Sequence, residues 1–338
     1  MNDTTIARVA LVGLGPIGVE VARAVVGRPG IEILGAADPA ADKAGKDLRD
    51  LLKTEGGDGP FPIASSAREL YSKSGAARGR RDVVLLCTGS RLESVADQIG
   101  EAVDAGFHVV STCEELSFPD LRHGALARSL DARAKKAGVA VIGTGVNPGL
   151  VMDRLALAAA GACVTVEKMT VTRVVDAAKR RGPLRAKVGA GLSREEFEAG
   201  VAACKLGHVG LSESAAMIAV GLGLPIDEIS ETIQPVIAGK ETEGVPEGRV
   251  LGLHQIAQVR AGGEIKVELD LTMAVGADAF DRIDIQGDPP VSLTVTGGFH
   301  GDRATVGCVV NAIPFIVASP PGVQTVVTIP LFGLLPQR

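Results

Sequence analysis

The chain has 338 residues, a net charge of −5 at pH 7 and 46% hydrophobic residues, with 43 glycines, no tryptophan and one tyrosine. An acidic chain poor in aromatics excludes a nucleic-acid partner, which needs a basic face. The length points to two domains, with a core of Ala, Val, Leu and Ile. Five separated cysteines (Cys87, Cys113, Cys163, Cys204 and Cys308) form neither a CxxC pair nor a Cys/His ligand spacing, so no metal and no disulfide framework is expected. Reduced thiols, a polar start without a signal-peptide core and no apolar run of about 18 residues give the expectation of a cytoplasmic protein with no membrane partner.

The predicted elements begin with a buried strand over Ala7–Val12. Gly13-Leu14-Gly15-Pro16-Ile17-Gly18 follows, and then an apolar-periodic helix through Val19, Val21, Ala22 and Val25. This is G-x-G-x-x-G in the strand–turn–helix setting that gives the motif mechanical sense. Gly13 permits the tight turn, Gly15 lets the backbone approach a pyrophosphate, and Gly18 lets helix and strand close together. Pro16 and Ile17 open the helix, whose unpaired N–H groups face the phosphates, so all five count as cofactor-binding. A second strand, Ile31–Ala37, ends on Asp38, about 20 residues beyond Gly18, where an acid holds a ribose 2′-hydroxyl in NAD-binding folds. A carboxylate there repels a 2′-phosphate, so either NAD or NADP is expected as cofactor with NAD favoured. Lys43 and Lys46 lie close enough to soften that preference.

Residues 42–62 read as a connector. Val83–Leu86 is an all-apolar strand ending in Cys87-Thr88-Gly89-Ser90, and Leu92, Val95, Ala96, Ile99, Ala102 and Val103 share one helical face. A strand over His108–Ser111, a helix over Leu121–Ala137 and a strand over Val139–Ile142 complete an alternation that predicts a Rossmann-type parallel sheet over 1–145. From 146 to 303 the pattern changes to period-two alternation, as in Ile265, Val267, Leu269, Leu271 and Met273. Helices are expected over Arg194–Leu206, opened by a Ser193/Glu196 capping box, and over Ser214–Val220. Ala261-Gly262-Gly263 reads as a hairpin turn. This is an α+β domain of mixed sheet for substrate contacts and dimerisation. An apolar helix at about 304–320 is expected to return to the first domain, where Asn311 offers an amide to the nicotinamide carboxamide.

Ligands of open parallel sheets bind outside the carboxyl ends of the strands. By that rule Thr88, Gly89 and Cys113 join the cofactor site, and Ser111-Thr112-Cys113-Glu114-Glu115-Leu116 carries the reactive groups. A carboxylate in a partly dry pocket beside a nicotinamide serves as an acid/base. The alternative is that Glu114 and Glu115 are first-turn acids of the next helix, favoured by its dipole. Cys113 reads as a buried inert thiol before it reads as a nucleophile.

The run Ser111-Thr112-Cys113-Glu114-Glu115-Leu116-Ser117-Phe118-Pro119 resembles the signature of 2,4-diaminopentanoate dehydrogenases and native amine dehydrogenases. These belong to the group with a dihydrodipicolinate-reductase-like N-terminal domain. Gly143-Thr144-Gly145-Val146-Asn147-Pro148-Gly149, Arg173-Val174-Val175-Asp176-Ala177 and Gly301-Asp302-Arg303-Ala304-Thr305 are similar to that family too, so the resemblance spans nearly the whole chain. It implies Glu114 as catalytic residue, with Glu115 as fallback, and Asn147, Arg173 and His208 as substrate-binding residues. Without the resemblance, Arg173 reads as a solvated ion-pair partner and His208 as a structural histidine. The His-His-x-x-Lys run and the Ser-Gly-Thr-Ala turn of true dihydrodipicolinate reductases are absent.

The expectation is therefore an NAD(P)-dependent enzyme, a homodimer, interconverting a primary amine with a ketone or aldehyde plus ammonia. Two alternatives stay open: a reductase of an imine, semialdehyde or aldehyde on the same fold, and a non-catalytic NAD-sensing protein.

Overall fold

The computed structural model describes residues 5–53, 61–73, 81–178, 187–330 and 333–335. The chain divides into two compact units, one of residues 1–150 with 301–338, the other of residues 151–300.

In the first unit the strands are β1 (Ala7–Val12), β2 (Ile31–Ala37), β3 (Ile63–Ala64), β4 (Asp82–Leu86), β5 (His108–Ser111), β6 (Ala140–Gly143) and β13 (Gly322–Gln324). Among the described residues they form a seven-stranded sheet in the order β13-β6-β5-β4-β1-β2-β3, and each neighbouring pair is parallel. Central strands such as β4 are buried along their whole length, as expected of a sheet covered on both faces. The strand order reverses between β1 and β4, so the crevice at their carboxyl ends is the topological switch point where such sheets take ligands.

Helix α1 (Pro16–Val25) buries Gly18, Val21, Ala22 and Val25. Helix α4 (Leu92–Asp104) buries the predicted face of Leu92, Val95, Ala96, Ile99, Ala102 and Val103, and α5 (Asp120–Ala137) lies beside it and ends at left-handed Gly138. Two short helices, α2 (Leu48–Leu52) and α3 (Ala67–Lys73), escaped the sequence reading, and α2 falls inside the supposed connector. At five and seven residues they are too short to carry a helical period. The last helix, α9 (Gly301–Ala318), is the one helix among the described residues long and apolar enough to cross a membrane. It packs instead on α1 and on the sheet at β4, β5 and β6, burying Cys308, Val309, Val310, Ala312, Ile313 and Ile316.

The second unit holds β7 (Thr165–Asp176), β8 (Glu228–Ile237), β9 (Val250–Ala261), β10 (Glu264–Ala274), β11 (Phe280–Asp288) and β12 (Val291–Thr296) in the order β12-β11-β7-β10-β9-β8. The sheet is mixed, since β7 and β10 run parallel while their outer neighbours are antiparallel. The β9–β10 hairpin turns through Gly262 and Gly263, both at positive φ (62° and 80°), as a tight I′ turn requires. Its helices among the described residues include α6 (Arg154–Ala160), α7 (Arg194–Ala202) and α8 (Leu211–Gly221), the last packed on β8, β9 and β10. The Ser193/Glu196 capping box forms at the start of α7. That helix stops at Ala202, four residues short of expectation, and Cys204 just beyond it adopts a left-handed φ of 55°.

Candidate active site

The glycine turn is built by contact distances. A Cβ at Gly18 would lie 1.9 Å from the Gly13 carbonyl oxygen, and one at Gly13, whose φ is +84°, would lie 2.6 Å from Thr88 Cγ2. Only hydrogen fits at either position. A Cβ at Gly15 would meet nothing within 4 Å, which leaves the N-terminus of α1 open above the turn. Pro16 occupies the first helical position and Ile17 follows it half-buried. A cavity of about 550 Å³ lies against this turn, lined among others by Gly13, Gly15, Asp38, Lys43, Ser65, Thr88 and Gln98. An open backbone at a helix N-terminus, a cavity at the switch point and an acid after β2 together fit a dinucleotide.

Asp38 is held on all sides. Its Oδ2 accepts from the Leu14 N–H at 2.8 Å and from Lys43 Nζ at 3.1 Å, and its Oδ1 accepts from the Ala40 N–H at 2.9 Å. Burial raises its pKa, but the Ala40 and Leu14 amides and the Lys43 ammonium outweigh that and hold the carboxyl below its ordinary value. Asp38 therefore faces the cavity as a carboxylate whose charge Lys43 partly offsets.

Beyond β4, Thr88 Oγ1 donates to Gln98 Oε1 at 2.7 Å, and a Cβ at Gly89 would press on Val95 and Ser94 at 3.0 and 3.1 Å. Beyond β5, Ser111 Oγ donates to the Leu86 carbonyl at 3.1 Å and accepts the Cys113 N–H at 3.1 Å, pinning the two strand ends together. Cys113 is fully buried, with Sγ 3.3 Å from the Ser90 carbonyl. Burial, followed by the charges of Glu114 and Glu115, pushes its thiol up to about 12, so it is held as the thiol at pH 7.

The two adjacent glutamates have different surroundings. Glu114 is half-buried at the head of a 3₁₀ turn over Glu115–Ser117, and its carbonyl accepts the Ser117 N–H at 3.1 Å. Glu115 is 3% exposed and its carboxylate is fully engaged. Oε1 accepts from Arg91 Nη1 at 3.0 Å, while Oε2 accepts the Leu92 N–H at 2.8 Å and lies 2.9 Å from His123 Nε2. The acid thus caps the N-terminus of the preceding helix α4, where the dipole favours negative charge, and not the following helix as the sequence alternative had it. Arg91, Leu92 and His123 were invisible to sequence reading as partners because they meet Glu115 only through tertiary packing.

After β6 the segment 143–149 folds back on itself. A Cβ at Gly149 (φ +127°) would lie 2.5 Å from the Gly145 nitrogen, and Asn147 is buried within the loop. On α9, Asn311 Oδ1 accepts the Leu335 N–H at 3.0 Å and so ties the C-terminal segment to the helix. Asn311→Ala is expected to lower the melting temperature by loosening that tie. An unchanged KM for NAD(H) in the same variant would remove the cofactor role read from the sequence.

In the second unit Arg173 faces inward, which corrects its reading as a solvated strand residue. It is 3% exposed, directly opposite Asp281 on β11. Nη1 donates to Asp281 Oδ1 at 2.6 Å and Nη2 to the Phe299 carbonyl at 2.9 Å. His208 is clamped through its backbone, its N–H on Gln255 Oε1 and its carbonyl on Gln255 Nε2, each at 2.8 Å. Burial, then the positive charges of Arg173 and Lys187, lower the imidazole pKa to about 4, so His208 is neutral at pH 7. An unfolded chain protonates this histidine near 6.5 and the folded one only near 4. Its contribution to stability is therefore complete above 6.5 and lost as pH falls toward 4. Melting temperatures measured across that window should fall less steeply in His208→Gln than in the wild type.

A family model, the 2,4-diaminopentanoate dehydrogenase C-terminal domain, matches residues 150–336. The chain belongs to the 2,4-diaminopentanoate dehydrogenase family. A 2,4-diaminopentanoate dehydrogenase from Acetoanaerobium sticklandii is 31% identical over 336 residues, covering 96% of this chain and 93% of that protein. An amine dehydrogenase from Streptomyces virginiae is 23% identical over 359 residues, covering 94% and 95% respectively. The structure of an amine dehydrogenase from Mycobacterium smegmatis shares the fold, with a TM-score of 0.84 at 22% identity and 98% of each chain covered. As a member of the family the chain is an NAD(P)-dependent dehydrogenase acting on CH–NH2 groups, interconverting an amine with a carbonyl compound and ammonia.

Proposed function

We propose that Glu114 is the residue that handles the nitrogen, that NAD(H) is preferred over NADP(H), and that the substrate is a small primary amine or its ketone or aldehyde. The observation that supports Glu114 is the state of its neighbour. Glu115 has both oxygens committed to Arg91, Leu92 and His123, whereas Glu114 stands half-buried at the head of the same turn.

A bound nicotinamide supplies or accepts the hydride, and the protein contributes position and charge. In the direction of amine synthesis the Glu114 carboxylate holds ammonium and takes one proton, which frees the nitrogen lone pair for the carbonyl carbon. The C–N bond forms and gives a carbinolamine. The carboxylic acid then returns its proton to the hydroxyl group, which leaves as water, and the regenerated carboxylate faces the iminium charge. Asn147 beside β6 and, in the second unit, Arg173 and His208 are the proposed substrate residues. A neutral His208 suits the role of hydrogen-bond partner.

Asp38 supports the cofactor preference, because a carboxylate accepts from a ribose 2′-hydroxyl and repels a 2′-phosphate. Its ion pair with Lys43 keeps that preference moderate. Asp38→Ala is expected to narrow the ratio of kcat/KM between NADH and NADPH, and a wild type that clearly prefers NADPH would contradict the assignment. A homodimer in the cytoplasm completes the reading. The five free thiols suit the reducing compartment.

The function is tested in the oxidative direction. A panel of small primary amines should reduce NAD⁺ with one ammonia released per NADH formed. NADH formed without ammonia would contradict the proposal.

A further inference from the structure

We propose that Glu115 is the positioning residue of this active site: its buried carboxylate fixes the turn that presents Glu114, so its loss is felt in the nitrogen chemistry and not in cofactor binding. The inference rests on the reading of Glu114 as the nitrogen-handling group. A reacting carboxylate works only when held within a fraction of an ångström of its productive place, and one on a strand-end loop needs support from outside the loop. Glu115 provides that support in two directions. Toward α4, its backbone N–H donates to the Ser90 carbonyl at 3.3 Å and its carboxylate accepts from Arg91 Nη1 and the Leu92 N–H. Toward α5, the carboxylate meets His123 Nε2 at 2.9 Å, at the point where that helix leaves helical geometry (φ −129°, ψ 39°). The other ring nitrogen of His123 lies 3.7 Å from Glu93. The peptide between Glu114 and Glu115 is thus tied to both helices that flank the β4 and β5 strand ends. The backbone at Glu114 cannot shift without disturbing these contacts, of which the Leu92 N–H bond is fully buried.

A merely structural carboxylate would change stability and the fraction of folded enzyme, and nothing else. A positioning role makes a different forecast once kcat is normalised to NADH-binding sites. In Glu115→Gln, kcat should fall on the order of tenfold and the KM for ammonium should rise, since a displacement near 1 Å costs up to about 100-fold. The dissociation constant for NADH, followed by its fluorescence, should stay within about twofold. His123→Gln and Arg91→Gln each remove one contact and should move the same two parameters by less. They also carry the test if Glu115→Gln does not fold.

Glu114→Gln is assayed beside them. Wild-type kcat and ammonium KM in the folded Glu115 or His123 variants, next to an inactive Glu114→Gln, would overturn the positioning role alone. So would a loss confined to NADH affinity. Wild-type turnover in Glu114→Gln would overturn the reading of Glu114, and this proposal with it.

Discussion

Glu114→Gln is expected to lose turnover by roughly 10²–10⁴ while keeping wild-type affinity for NADH. The amide preserves the shape of the side chain and removes the charge that holds ammonium and the base that deprotonates it. The cavity that fits the dinucleotide lies along β1, β2 and β4 and includes neither glutamate, so cofactor binding should survive the change. Glu115→Gln should cost less, because Glu115 is surrounded by protein donors and reaches the reaction only through its neighbour. Steady-state rates against ammonium and carbonyl concentration, with NADH binding measured separately, check both. The reverse ranking would move the acid/base role one residue along. Small and equal losses would leave the pair without an acid/base role.

Arg173→Ala is expected to be the most damaging of these substitutions for stability. It removes a guanidinium that is 3% exposed and leaves Asp281, 2% exposed, charged and without its partner at 2.6 Å. Breaking a buried pair in this way costs about 3–5 kcal/mol, because the remaining carboxylate keeps only the Phe299 N–H on Oδ2 at 2.7 Å and loses its counter-ion. The Phe299 carbonyl loses its donor as well. Denaturant midpoints test the point. Arg173→Ala should shift strongly, and adding Asp281→Asn, which removes the stranded charge, should recover part of the loss. A wild-type midpoint with a raised KM for the amine would instead make Arg173 a substrate contact and little else.

Much of this architecture is legible in the sequence because the physics that forms it is local. The continuous apolar runs of β1, β4 and β5 announce a covered parallel sheet, and the glycine turn announces its own contacts through the Cβ positions it forbids. Arg173 shares strand parity with Met169, Val171 and Val175, which are all buried, so its inward orientation was readable once the register was fixed. Its partner was harder to read. β11 carries Asp281, Arg282 and Asp284 among its apolar residues, and those charges mask the alternation of Asp281, Ile283 and Ile285 toward the buried face. The short α2, α3 and β13 lack the length for a period. The difference between Glu114 and Glu115 could not be read at all. It depends on Arg91 and Leu92 at the head of α4 and on His123 in α5, which only the packed fold brings together around one carboxylate.

The central claim, amine and carbonyl interconversion with ammonia as co-substrate, is tested most directly by the ammonium dependence of NADH oxidation over a panel of ketones, aldehydes and amino-keto acids. The rate should be near zero without ammonium, saturate as ammonium is added, and yield the primary amine in proportion to NADH consumed. Oxidation of NADH at the same rate with and without ammonium, giving an alcohol, would contradict the account.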